Sequence, residues 1–139
     1  MPLTRLEHFL VLTDNIDATR DFYVNVLGLR VGARPPLEFA GYWVYVEDVP
    51  SIHIAEWDSY RAHSERMGIP VSARGPGAVG PVDHLAFNGL DKDSIRAQLH
   101  ANHVSFGENT VPHIQLTQFF LSDPNGVKIE INVMPAVGQ

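Results

Sequence analysis

Leu6-Glu7-His8-Phe9-Leu10-Val11 returns as Val82-Asp83-His84-Leu85-Ala86-Phe87, an offset of 76 residues. At the same spacing Asp17 falls on Asp93, Arg20 on Arg96 and Tyr23 on Leu99. A repeat at fixed spacing sets the architecture before any local reading does. Each copy opens on an apolar, strand-like run and continues into a capped helical segment. In the first copy Asp14 is the expected cap, and Ile16, Thr19, Phe22, Tyr23, Val26 and Leu27 recur at helical spacing up to Gly28. In the second the helix is expected from Asp91 to near Asn102, with Ile95 and Leu99 on one face. Strands are expected at 29–34, 41–46 and 51–56 after the first helix, and at 104–106, 115–121 and 127–133 after the second. Asp123-Pro124-Asn125-Gly126 forms the turn between the last two.

Two βαβββ modules are expected, about 3–58 and 81–134, joined by a linker at about 59–80; a short helical excursion at 57–66 precedes its Gly/Pro-rich stretch, Met67 to Pro81. The expected fold class is α+β, a single domain over 1–139 with two mixed sheets and helices packed on one side of them. The tail after Met134 reads as frayed.

The balance of the chain narrows its chemistry. With no cysteine among 139 residues, disulfides, zinc–thiolate sites and iron–sulfur clusters are excluded. Ten Lys and Arg against sixteen Asp and Glu leave a formal charge of −6, which argues against a grip on nucleic acid. No apolar run approaches the roughly 18 residues of a membrane span, and the N-terminus lacks a signal-peptide stretch, so a cytoplasmic protein is expected.

Strand alternation then separates two kinds of face. Leu6, His8, Leu10 and Leu12 share one face of the first strand; Val82, His84 and Ala86 share one face of the fifth. Ser51, His53 and Ala55 line up in the fourth, and Lys128, Glu130 and Asn132 in the eighth, opposite an apolar row of Val127, Ile129, Ile131 and Val133. A carboxylate in mid-strand is costly unless paired or metal-bound. Taken singly, each polar residue is explained as a hydrogen-bonded, half-buried side chain. The equivalent placing of His8 and His84, with Glu130 beside them, argues instead for a shared metal. Two imidazoles and one carboxylate suit Fe(II) most characteristically, with Mn(II), Zn(II) or Ni(II) as alternatives.

These residues resemble the vicinal-oxygen-chelate superfamily, which includes glyoxalase I, fosfomycin-resistance enzymes, bleomycin-binding proteins and extradiol ring-cleaving dioxygenases. The likeness runs from Leu6 to Val133. It rests on Leu6-Glu7-His8, Asp21-Phe22-Tyr23 with Val26-Leu27-Gly28-Leu29, Val82-Asp83-His84, and Asp123 through Glu130. It implies metal ligands at His8, His84 and Glu130. Glyoxalase I usually carries a fourth ligand, a Glu, where this chain has His53; extradiol dioxygenases are similar in having an acid–base His there. Val111-Pro112-His113, Phe119-Phe120 and Asp123–Glu130 also resemble the dioxygenase signature, except that Phe120 replaces a Tyr that would orient a catecholate.

The resemblance therefore implies an oxidoreductase that opens a catechol-like substrate with O2. In it His53 is the acid–base residue and His113 a donor from behind, while Phe120, Leu10 and Ala86 face the aromatic ring. It also implies a homodimer. A glyoxalase-like lyase or isomerase and a metal-free binding protein of the antibiotic-resistance kind are the alternatives. His63, His100 and His103 read as surface residues. Arg30, Arg34 and Arg74 read as contacts for an acidic substrate or as solvated loop residues.

Overall fold

The structure is a computed structural model that describes residues 5–69, 82 and 84–135. The chain divides into two compact units, Met1–Ala73 and Arg74–Gln139. Unit 1 contains strands β1 (Phe9–Thr13), β2 (Arg30–Gly32), β3 (Gly41–Val46) and β4 (Val49–Glu56), with helices α1 (Ile16–Asp21) and α2 (Trp57–Met67). Unit 2 contains β5 (His84–Asn88), β6 (Gly107–Val111), β7 (Leu116–Ser122) and β8 (Lys128–Val133), with helix α3 (Lys92–Ala101). The sheet orders are β1-β4-β3-β2 and β5-β8-β7-β6. In each, the first and last strands pair parallel at one edge while the rest pair antiparallel. The βαβββ pattern expected from the repeat is present in both units.

One face of each sheet is apolar and lies under a helix. In unit 1, Val11, Val44, Ile52 and Ile54 are buried together with Phe22, Tyr23 and Val26, and α1 packs on β3 and β4. In unit 2, Leu85, Phe119, Leu121, Ile129, Ile131 and Val133 are buried, with Leu99 of α3 fully enclosed. Each such side chain contributes about 1.5–3 kcal/mol relative to exposure. The opposite faces carry the polar side chains. A Cβ on Gly41 would run into the Ile54 carbonyl oxygen, so only glycine lets β3 approach β4 at that point.

Several boundaries differ from expectation. Asn15, not Asp14, caps the first helix, its side chain accepting from the Ala18 N–H at 3.0 Å. Helix α1 then opens into a wide π turn over Phe22–Val26, closed by the Leu27 N–H on the Phe22 carbonyl at 3.3 Å. Gly28, at φ +72°, ends it as expected. The strand expected at 104–106 begins only at Gly107. Val104 and Phe106 alternate like strand residues, but Phe106 packs its ring near Phe119 instead. The true edge strand, Gly-Glu-Asn-Thr-Val, has no apolar alternation to mark it. The excursion at 57–66 is a full helix running to Met67. Most of the rest of the expected linker, with Arg74, lies outside the described residues, as does the chain end after Pro135.

Candidate functional site

In unit 1 the backbone register lines up Leu10, His53, Trp43 and Gly32 across β1, β4, β3 and β2. His8 stands two residues before Leu10, just ahead of β1, and therefore on the same face. Its ring stacks on His53 at 3.8 Å, and His53 stacks on Trp43 at 4.2 Å, the planes within 13° and 8° of parallel. The result is a three-ring stack with His53 in the middle. Burial, and then the neighbouring His8, press the His53 imidazole below its ordinary pKa, while a backbone hydrogen bond at Pro50 opposes them. His8 Nδ1 lies 3.0 Å from Glu7 Oε1, which holds its ring in place through that nitrogen.

In unit 2 the equivalent row is Ala86, Glu130, Phe120 and Gly107 across β5, β8, β7 and β6. His84 stands two residues before Ala86, and its Nε2 lies 3.9 Å from Glu130 Oε2. The Glu130 side chain is only 16% exposed. Each unit thus carries one pair of donors on its parallel strand pair: His8 with His53, and His84 with Glu130. His53 and Glu130 hold matching register positions, opposite Leu10 and Ala86. The repeat of 76 residues hides this match, because the two positions are 77 apart. One more row along, Asn132, Gln118 and Asn109 stand opposite one another on β8, β7 and β6.

The donor chemistry fits a divalent cation. An ion about 2.0–2.2 Å from each of two donors bridges up to roughly 4.2 Å; the His84–Glu130 separation of 3.9 Å lies inside that span. Among the described residues of either unit taken alone, no group of three or more His, Asp or Glu could hold a metal. The within-unit complement is a pair in each case.

Other expected residues fall as follows. Leu10 and Ala86 are exposed and Phe120 is half-buried, each on the donor-bearing face of its own sheet. His113 sits exposed in a 3-10 turn, Pro112–Ile114. His63 departs from a simple surface residue: its side chain is 19% exposed and lies 3.3 Å from Glu38, whose carboxyl it and Arg66 hold below the usual range. His100 is exposed at the end of α3 with its ring near Phe106, and His103 is exposed with φ +54°. Arg30 reaches the Glu47 carbonyl and lies over the Tyr45 ring. Arg34 is half-buried rather than solvated, donating to the Phe39 carbonyl at 2.7 Å. The side chains that sequence reasoning missed are Trp43, Gln118 and Asn109. Their positions opposite His53 and Asn132 follow from strand register, which the repeat does not supply.

Two βαβββ units, each with a histidine near a second donor on its parallel strand pair, define an α+β protein with an internal repeat. The chain belongs to the glyoxalase/bleomycin resistance protein/dioxygenase superfamily, whose family model matches residues 5–131. It is similar to "Glyoxylase I 4" of Arabidopsis thaliana, 29% identical over 99% of this chain and 78% of that protein. Among solved structures, a putative glyoxalase family protein from Bacillus anthracis superposes with a TM-score of 0.70 at 19% identity, covering 96% of this chain and 97% of that one. A lactoylglutathione lyase from Agrobacterium tumefaciens superposes with a TM-score of 0.61 at 20% identity, covering 96% of each chain. No helix among the described residues is long and apolar enough to cross a membrane.

Proposed function

We propose that this protein is a metal-dependent lyase or isomerase acting on a small molecule with two adjacent oxygens. In this reading it moves a proton at the carbon beside a carbonyl. The observation that carries the reading is the matched pair of donors, His8 with His53 and His84 with Glu130, at the same register in both sheets. His84 and Glu130, side by side in unit 2, would hold a divalent ion, with His8 as the third ligand that the family resemblance implies; Zn(II), Ni(II), Mn(II) and Fe(II) all accept such a set. When bound, the ion supplies Lewis-acid charge to the two substrate oxygens.

The chain's own residues do the rest. His53, whose imidazole burial presses below its ordinary pKa, accepts the proton at a ring nitrogen and returns it to the neighbouring carbon. Trp43 and His8 clamp that ring from both sides, so the nitrogen cannot swing away. Phe120, Leu10 and Ala86 offer apolar surface to the substrate carbon skeleton. The names of the Arabidopsis and Agrobacterium relatives accord with this chemistry.

Extradiol cleavage of a catechol with O2 at Fe(II) is the second reading, suggested by a histidine, His53, stacked on the expected ligand His8. It is the weaker one, because Phe120 has no phenol to orient a catecholate and His113 stands exposed in its turn. The two readings separate under argon. Protein loaded with Zn(II), Ni(II) or Co(II) is given hydroxyketones and hemithioacetals in deuterated water, and exchange at the carbon is followed by NMR. The expected result is metal-dependent exchange that falls by about 10²–10⁴ in His53→Ala, the usual worth of a general base. Absence of exchange with every metal, together with O2 uptake on catechols by the Fe(II) form, overturns the proposal in favour of ring cleavage.

A further inference from the structure

Three amide side chains on the polar face of the second sheet are joined head to tail and end on Glu130. Asn109 Nδ2 donates to Gln118 Oε1 at 3.0 Å, Gln118 Nε2 to Asn132 Oδ1 at 3.1 Å, and Asn132 Nδ2 to Glu130 Oε2 at 2.9 Å. The three stand directly opposite one another on β6, β7 and β8, and Glu130 precedes Asn132 by two residues on the same face. We propose that Asn109, Gln118 and Asn132 are positioning residues that aim the Glu130 carboxylate at the ion it shares with His84. The inference rests on the reading of Glu130 as a metal ligand.

The direction of the chain carries the argument. A primary amide has an oxygen at one corner and an N–H pair at the other, and nothing in its own shape decides which corner faces a neighbour. Asn132 helps Glu130 only when its nitrogen faces the carboxylate; turned over, it would set oxygen against oxygen. Gln118 decides this by giving its own N–H to Asn132 Oδ1. Asn109 decides the same for Gln118 by occupying its oxygen. Gln118 and Asn132 are half-buried, so competition from water is reduced. The oxygen that receives the last N–H is the one facing His84 Nε2 at 3.9 Å. Partners that orient a ligand in this way typically govern metal affinity as well as geometry.

The informative variant is Gln118→Glu, which keeps the shape and still accepts from Asn109 but has no N–H for Asn132. Metal affinity is measured by calorimetry and the site geometry by the visible spectrum of Co(II)-loaded protein. Gln118→Glu and Asn132→Leu are each expected to weaken metal binding by about 10–100-fold with an altered Co(II) spectrum, and the double variant to be no weaker than Asn132→Leu alone. Affinity unchanged in Gln118→Glu, or losses that multiply in the double variant, overturns the proposal. Should Gln118→Glu fail to fold, Asn109→Asp at the exposed edge strand serves instead: an unchanged spectrum and affinity there overturn it equally. Glu130→Ala is measured alongside. If that variant binds metal as tightly as the unaltered chain, the ligand reading fails first and takes this inference with it. If Glu130→Ala loses the metal while Gln118→Glu keeps it, only the positioning chain fails.

Discussion

Asp123 illustrates what a single side chain settles. It is 5% exposed, and its Oδ1 accepts from the backbone N–H of Asn125 and of Val127, each at 2.8 Å. These bonds close the turn that sets β8 against β7, with Gly126 at φ +83° completing it. Asp123→Ala leaves two backbone donors short of partners and should cost about 1–3 kcal/mol in denaturant unfolding, with the slope of the transition unchanged. The turn was legible from Asp-Pro-Asn-Gly because its bonding is local. His53 shows the opposite. Its identity was plain in the sequence, but its place between Trp43 and His8 depends on which residues of three strands stand opposite one another. The polar faces that carry His8, His84 and Glu130 were legible because strand alternation alone separates them from the apolar rows.

At the scale of elements, α3 is tied to the edge strand β6 by one two-pronged ion pair. Arg96 Nε and Nη2 reach the two Glu108 oxygens at 2.7 and 2.8 Å. Hydrogen bonding to Arg96 holds the Glu108 carboxyl below its usual pKa. A depressed carboxylate stabilises the fold above its unfolded pKa, and that contribution is lost as pH falls through the lower, folded value. Glu108→Gln should therefore melt below the unaltered chain at pH 7, and the gap should close as pH is lowered from about 4.5 into the acid range. A gap that persists at low pH would mean packing, not charge, joins these elements. The helices were legible from their spacing, including the Asp91 cap, whose side chain accepts from the Asp93 and Ser94 N–H groups. The β6 boundary was not, because an exposed edge strand is held by backbone bonds and places no demand on side-chain pattern.

For the molecule as a whole, the proposed metal binding links folding to ligand concentration. If the ion binds only the folded chain, a concentration 100 times its dissociation constant stabilises by about 2.7 kcal/mol. Thermal melts with and without Zn(II) should show that upward shift, chelator should reverse it, and Glu130→Ala should not show it. The duplication, the α+β class, the two βαβββ units and the superfamily were all settled by the sequence, because a repeated pattern of apolar spacing and turn residues acts over short stretches of chain. Only the tertiary structure decided that His53 matches Glu130, that Trp43 covers His53, and that a chain of amides ends on Glu130. Those relations join residues far apart in sequence through strand register, and register is set by how whole strands pair and bury their apolar faces rather than by any stretch read alone.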